Sequence, residues 1–194
     1  MIDNIEKILP LLNFESSDDF YYLQLLQRKK ENPELGSNSR VIKNYYITSE
    51  KYLLDRYEEI KSLCTLFNAR AMLRLNKRSF EKVGFKALEN IANTMQNREY
   101  NHLNKSYDRA CGLLNNEKTK RWILDVDEPY SIEKLYDIDC TILKITDFVD
   151  KIITCIPSKN GFHIICTPFN LQLFKETHPE IEVCKDNPTN LFCP

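Results

Sequence analysis

Asp125 and Asp127 end the apolar run Trp122-Ile123-Leu124-Asp125-Val126-Asp127. Residues two apart on an extended strand point to the same face, so these carboxylates project together. A pair of like charges repels unless a cation lies between them. Mg²⁺ suits such a pair, because it takes one or two carboxylates and fills its remaining positions with water and substrate phosphates. The bland alternative is an acidic turn closing the strand, since Glu128-Pro129 follows at once. A second group is Ser158-Lys159-Asn160-Gly161-Phe162-His163. Ser158 and Lys159 can donate to phosphate oxygens, and Gly161 permits a tight turn and the close approach of a ligand to the backbone. His163 stands in an otherwise apolar strand and alternates with Ile165, so it reads either as a satisfied core histidine or as a ligand-facing group. Two later acids, Glu182 and Asp186, complete the candidates.

Bringing these groups together needs a particular set of elements. Arg121 to Asp127 predicts a strand. Helical sequence opens at Ser131 and runs, with a break near Cys140, to about Ile152. Strands follow over Ile153 to Pro157 and Phe162 to Thr167, joined by the turn Ser158-Lys159-Asn160-Gly161. Asn170 caps a short helix to Lys175, and Ile181 to Cys184 is a fourth strand before the Asn187-Pro188 turn. The order is β-α-β-β-α-β, the split βαβ or ferredoxin-like unit. Its first and third strands are antiparallel neighbours and its fourth flanks the first, so Asp125, Asp127, His163 and Glu182 meet on one open face, opposite the helices. Alternation also puts Asp186 on the Glu182 face, so periodicity does not separate the two acids.

The preceding residues predict a mixed module. Phe20 to Leu26 and Val41 to Ile47 are aromatic and β-branched, as strands are. Between them is a polar loop with Pro33, Gly36, Ser37, Asn38 and Ser39. A helix over Leu53 to Cys64 and a strand over Ala69 to Leu75 follow. Ser79 caps a helix with Phe80, Val83, Ala87, Leu88, Ile91 and Met95 on one side. A polar stretch from Asn97 to Lys120 then separates the halves. The fold expected is α+β: an N-terminal α/β module over residues 1–118 and a ferredoxin/RRM-like βαββαβ catalytic half over residues 119–194, packed as one compact unit.

Composition narrows the classes. Hydrophobic residues make up 42% and charged residues 28% of the 194, a globular balance. Only four glycines occur, and neither a Walker A sequence nor a dinucleotide fingerprint is present. No 18-residue apolar run exists and Met1-Ile2-Asp3-Asn4-Ile5-Glu6 lacks a basic start, so neither a signal peptide nor a membrane span is expected. The seven scattered cysteines suit buried thiols in a reducing compartment, so a cytoplasmic location is expected. His178, Cys184 and Cys193 could ligate zinc, but no Cys-x-x-Cys pair supports that. Net charge is −1, so any polyanion site must be local. Residues 68–86 carry six basic side chains (Arg70, Arg74, Lys77, Arg78, Lys82, Lys86) against Glu81, whereas residues 125–150 carry eight acids against two bases. A basic stretch that tracks template or triphosphate, beside an acidic one that gathers metal, competes with a solvated helix face and charged strand. Tyr45, Tyr46, Phe67 and Phe80 are candidates for stacking on bases, and core packing explains them equally well.

In the order and spacing of its motifs the chain resembles the archaeo-eukaryotic primase superfamily, including the small primase-polymerases of plasmids and phages. Trp122 to Asp127 is similar to the family's Asp-x-Asp strand end, and Ser158 to His163 to the longer, glycine-containing form of its Ser-x-His motif. Ile181-Glu182 is a candidate for its hydrophobic-acid motif, with Lys185-Asp186 in competition. The resemblance covers residues 121–194, with a looser likeness before them. It implies template-dependent nucleotidyl transfer by two-metal-ion catalysis, as in a DNA primase or primase-polymerase. Asp125 and Asp127 would bind Mg²⁺ or Mn²⁺ with Glu182 or Asp186 as a third ligand. His163, Ser158 and Lys159, with Arg78 from the basic stretch, would hold the nucleoside triphosphate. The partners implied are a single-stranded nucleic acid template, nucleotides and a helicase in trans, with no membrane. Two other readings stay open: a metal-dependent nuclease, and a non-catalytic single-strand-binding module. The paucity of aromatic residues at strand centres argues against the last.

Overall fold

The computed structural model describes residues 1–36 and 38–194; Ser37, placed in the polar loop above, lies outside the described residues. The architecture is α+β, with two antiparallel sheets among the described residues. The strands are β1 (Ile2–Asp3), β2 (Asp19–Gln27), β3 (Arg40–Ile47), β4 (Arg70–Arg74), β5 (Arg78–Ser79), β6 (Trp122–Val126), β7 (Ile152–Pro157), β8 (Phe162–Cys166), β9 (Glu182–Cys184) and β10 (Pro188–Cys193). The helices are α1 (Ile5–Ile8), α2 (Glu50–Leu66), α3 (Phe80–Gln96), α4 (Ser106–Leu113), α5 (Ile132–Ile145) and α6 (Leu171–Thr177). No helix among the described residues is long and apolar enough to cross a membrane.

The second sheet runs β7-β8-β6-β9 with every pair antiparallel, the expected ferredoxin-like order. Strand alternation explains its two faces. Leu124, Val126, Phe162, Ile164 and Cys166 pack against Ile138 and Ile142 of α5 and Phe174 of α6. Ser131 caps α5, its hydroxyl accepting from Lys134 N at 3.0 Å, and the helix is unbroken at Cys140. It stops at Ile145, where Asp147 and Phe148 take positive φ, rather than running to Ile152.

The other face of this sheet is not open. Ile123, Ile156, Ile165 and Cys184 join the core of the first module, with Ile8, Leu11, Leu23, Leu73 and Leu191. That module's sheet runs β1-β10-β4-β2-β3, with β5 paired to β2. β10 therefore leaves the second sheet and inserts between β1 and β4, so the division at residue 118 cuts through a shared structure. Residues 188–193 lie beyond that line yet are hydrogen-bonded into the first sheet. Asn4, almost wholly buried, ties the two sheets: its amide nitrogen donates to Pro157 O on β7 at 3.0 Å and to Asn190 O on β10 at 2.9 Å.

The stretch from Asn97 to Lys120 is not simply a polar separator. It contains a 3₁₀ turn (Tyr100–Lys105) and α4, whose Ala110 and Cys111 pack with Phe20, Tyr22, Val83 and Ala87. Small residues bury little surface, so the helix leaves a weak apolar signal. α3 is capped by Ser79 as expected, but it buries Val83 and Ala87 and leaves Leu88, Ile91 and Met95 exposed.

Candidate functional site

β6 projects its side chains in alternation, Ile123 into the core between the sheets, Leu124 and Val126 toward the helices and Asp125 into a cleft; Asp127, one residue past the end of the strand rather than within it, lines the same cleft. The register sets Asp125 directly opposite His163 on β8 and Glu182 on β9. Cross-strand partners share a face, so the row Glu182-Asp125-His163 spans three strands. The cleft encloses about 720 Å³ and its walls come from both modules. Asp125, Asp127, Ser158, Lys159, His163 and Glu182 line it on one side. Arg28, Lys30, Glu31, Arg70, Met72 and Asn190 line it on the other. Six of the eight sequence-predicted site residues thus meet in one cavity.

Arg78 and Asp186, the other two, do not. Arg78 is fully buried, and its Nη2 donates to Asp186 Oδ2 at 2.6 Å while Nε donates to Cys111 O at 3.0 Å. Burial pulls the Arg78 pKa down, opposed by the Asp186 carboxylate. Asp186 also accepts from Asn76 Nδ2 at 3.0 Å. The pair is a structural anchor, because a buried guanidinium requires a counter-charge. Most of the expected basic stretch is spent in the same way. Arg74 lies beside Asp186, Lys77 is buried between Glu15 and Asp19, and Arg70 is paired with Glu31. Only Arg70 of these reaches the cleft.

His163 is buried, with Nδ1 2.7 Å from Thr189 Oγ1 and Nε2 3.3 Å from Asp125 Oδ1. The Nε2 edge of the ring faces the carboxylate and its Nδ1 edge the Thr189 hydroxyl, so each ring nitrogen has a polar neighbour. The imidazole beside Asp125 holds its carboxyl below the usual range, against the opposing effect of burial. His163 thus lies between Thr189 and Asp125 on the cleft wall. Cys184, on the Glu182 side, has its thiol pushed up to about 12 by burial, and its Sγ lies 3.3 Å from Glu182 Oε1.

Gly161 is required by the protein's own backbone rather than by a ligand. A Cβ there would stand 1.9 Å from Val126 O and 2.8 Å from Glu128 O, at the end of the strand that carries Asp127. The turn is closed by Ser158 N to Gly161 O at 2.9 Å and by Gly161 N to Ser158 Oγ at 3.2 Å. It also presents Lys159, whose Nζ lies 3.7 Å from Glu31 Oε2 across the cleft. Glu31 accepts from Arg70 Nε at 3.1 Å. Burial works to raise its pKa, but Arg70 and then Lys159 more than offset this, and the carboxyl is lowered.

Three site residues of the first module carried a readable signal: Arg28, Lys30 and Glu31 fall in the run Arg28-Lys29-Lys30-Glu31 that leaves β2. Thr189 and Asn190 carried none. Of the candidate stacking aromatics, Tyr45 hydrogen-bonds Glu59, Tyr46 packs edge-on to Phe20 and Tyr107, and Phe80 stacks on Phe20. His178 bonds Thr141 at 3.1 Å in the α5–α6 core, whereas Cys184 lines the cleft.

The donors in the cleft are hard carboxylate oxygens, which suit Mg²⁺ or Mn²⁺. Among the described residues no three His, Cys, Asp or Glu side chains converge as a ready-made metal set. Asp125 and Asp127 are the carboxylates there that could share a cation, with outside oxygens completing its shell; a preformed three-carboxylate cage is not present among the described residues. Comparison of the chain with protein-family models, with curated proteins and with solved structures found no match in any of the three.

Proposed function

We propose that the protein is a template-dependent nucleotidyltransferase of the primase-polymerase type. One observation carries this reading. Asp125 and Asp127 face, in one cavity, a set of cationic side chains drawn from both modules: Arg28, Lys30, Arg70 and Lys159. Carboxylates opposite cations in a cleft of this size suit a nucleoside triphosphate, whose phosphates need both counter-charge and a metal-binding edge. Asp125 and Asp127 are the residues that would hold Mg²⁺ or Mn²⁺. Bound divalent cations would neutralise the charge that develops on the attacking and leaving oxygens of an in-line displacement.

The chain's own groups do the rest. His163, fixed by Thr189, keeps the Asp125 carboxylate ionised and aimed into the cleft. Lys159 and Arg70 already enclose one carboxylate, that of Glu31, and the same guanidinium and ammonium donors accept a phosphate in its place. Ser158, Lys159 and the Gly161 turn lie beside Asp127, which puts the phosphate-binding donors next to the metal-binding pair.

Incubation of the protein with a single-stranded template, labelled nucleotides and Mn²⁺ tests this. New or lengthened strands are expected from the wild type and not from the Asp125→Asn/Asp127→Asn double variant. Degradation of template without added nucleotides would assign the same acids to a nuclease instead. Normal synthesis by the double variant would remove the metal assignment.

A further inference from the structure

A second groove adjoins the cleft across the outer end of the first sheet. It encloses about 560 Å³ and is lined by Gln24, Arg40, Val41, Lys105, Asp108 and Arg109, together with Ser39. Its continuity with the cleft follows from strand register: Val41 in the groove is the cross-strand partner of Leu26 in the cleft wall, and Gln24 lies two residues before Leu26 on the same face of β2. Arg40, Lys105 and Arg109 are exposed, and none is ion-paired among the described residues. They contrast with Arg74, Lys77 and Arg78, which are consumed inside the protein. The single lining acid, Asp108, is tied into the groove's floor, where it accepts from the hydroxyls of Tyr22 and Tyr46 at 3.1 Å each. Three cations against one fixed acid leave the groove basic on a chain whose net charge is −1.

We propose that this groove carries the sugar-phosphate backbone of single-stranded nucleic acid to the cleft, with Arg40, Lys105 and Arg109 contacting successive phosphates. The proposal rests on the nucleotidyl-transfer reading for the identity of the polyanion. A groove of this volume admits a strand a nucleotide or two at a time. The Gln24 amide nitrogen donates to Asn44 Oδ1 at 3.2 Å and to Tyr22 Oη at 3.0 Å, so that donor is committed within the protein. Contact through backbone phosphates predicts little sequence preference and strong salt dependence.

Fluorescence anisotropy of a labelled oligothymidylate, without metal or nucleotides, tests the groove independently of catalysis. The Arg40→Gln/Lys105→Gln/Arg109→Gln variant is expected to bind roughly tenfold or more weakly near 0.05 M salt. Its plot of log K against log salt is expected to be shallower by about 2, at roughly 0.7 per phosphate contact. Should the triple variant fail to fold, Arg109→Gln alone is expected to lower the slope by about 0.7. An unchanged slope in the neutralised variants overturns the proposal. So does equal competition by a matched duplex, or by polyglutamate, which would make the partner a duplex or an acidic protein. Wild-type oligonucleotide binding that depends on the groove, without strand synthesis, keeps the groove and removes the nucleotidyl-transfer reading. Synthesis with unaltered binding in the triple variant does the reverse.

Discussion

Glu182 and Asp186 lie only four residues apart, and they differ in what stands opposite them. Glu182 is exposed at the cleft edge across from Asp125, whereas Asp186 faces the buried Arg78. Asp186→Ala is expected to lose about 3 kcal/mol of unfolding free energy, because it strands a buried guanidinium. Glu182→Gln should leave stability within about 0.5 kcal/mol, as exposed substitutions do, and lower strand synthesis. Urea midpoints and synthesis assays on both variants check this, and the opposite pattern would exchange their roles. Glu31 supplies a pH signature. Its carboxyl is lowered, chiefly by Arg70 acting against burial, so its stabilising contribution is complete above the ordinary glutamate value, near 4.3. That contribution is lost as pH falls through the lowered folded value. Glu31→Gln should therefore show a shallower loss of stability below about pH 5 than the wild type, read from unfolding midpoints across that range.

Among the elements, the β7–β8 hairpin and the end of β6 hold the site by near-contact. Gly161→Ala pushes a methyl group into Val126 O and Glu128 O, so it should destabilise by about 3 kcal/mol and move the segment that carries Asp127. Loss of synthesis in that variant with unchanged stability and fold would refute the steric account. The glycine was legible in the sequence as a turn residue, but its reason was not, since no local pattern reveals a backbone that approaches from thirty-odd residues earlier. The βαββαβ order was legible because each strand is a short apolar run bounded by polar or turn residues and each helix opens on a capping residue, Ser131 or Asn170. The row Glu182-Asp125-His163 followed from that topology alone. Arg78 was misplaced for a definable cause: charge counting treats every arginine as surface, and β5 buries this one completely.

For the whole molecule, the least legible feature was the fate of the last strand. Leu191-Phe192-Cys193 is an apolar run after a turn, and nothing local says which of two sheets it will enter. Asn4 holds the outcome by donating to carbonyls on both sheets. Asn4→Ala leaves those two carbonyls without their donor and should cost about 2 kcal/mol in chemical denaturation, with one cooperative transition retained. Separate transitions for the two sheets in this variant would show that their coupling rests on this contact rather than on the core they share. The insertion of β10 also orders events during synthesis. Pro188 pairs with Arg74, more than a hundred residues earlier, so β4 emerges from the ribosome with one edge bare. At roughly 5–20 residues per second, that edge waits on the order of ten seconds for its neighbour. The newborn chain is therefore at its most adhesive before residues 188–193 appear, and a chaperone that shields β4 would raise its yield.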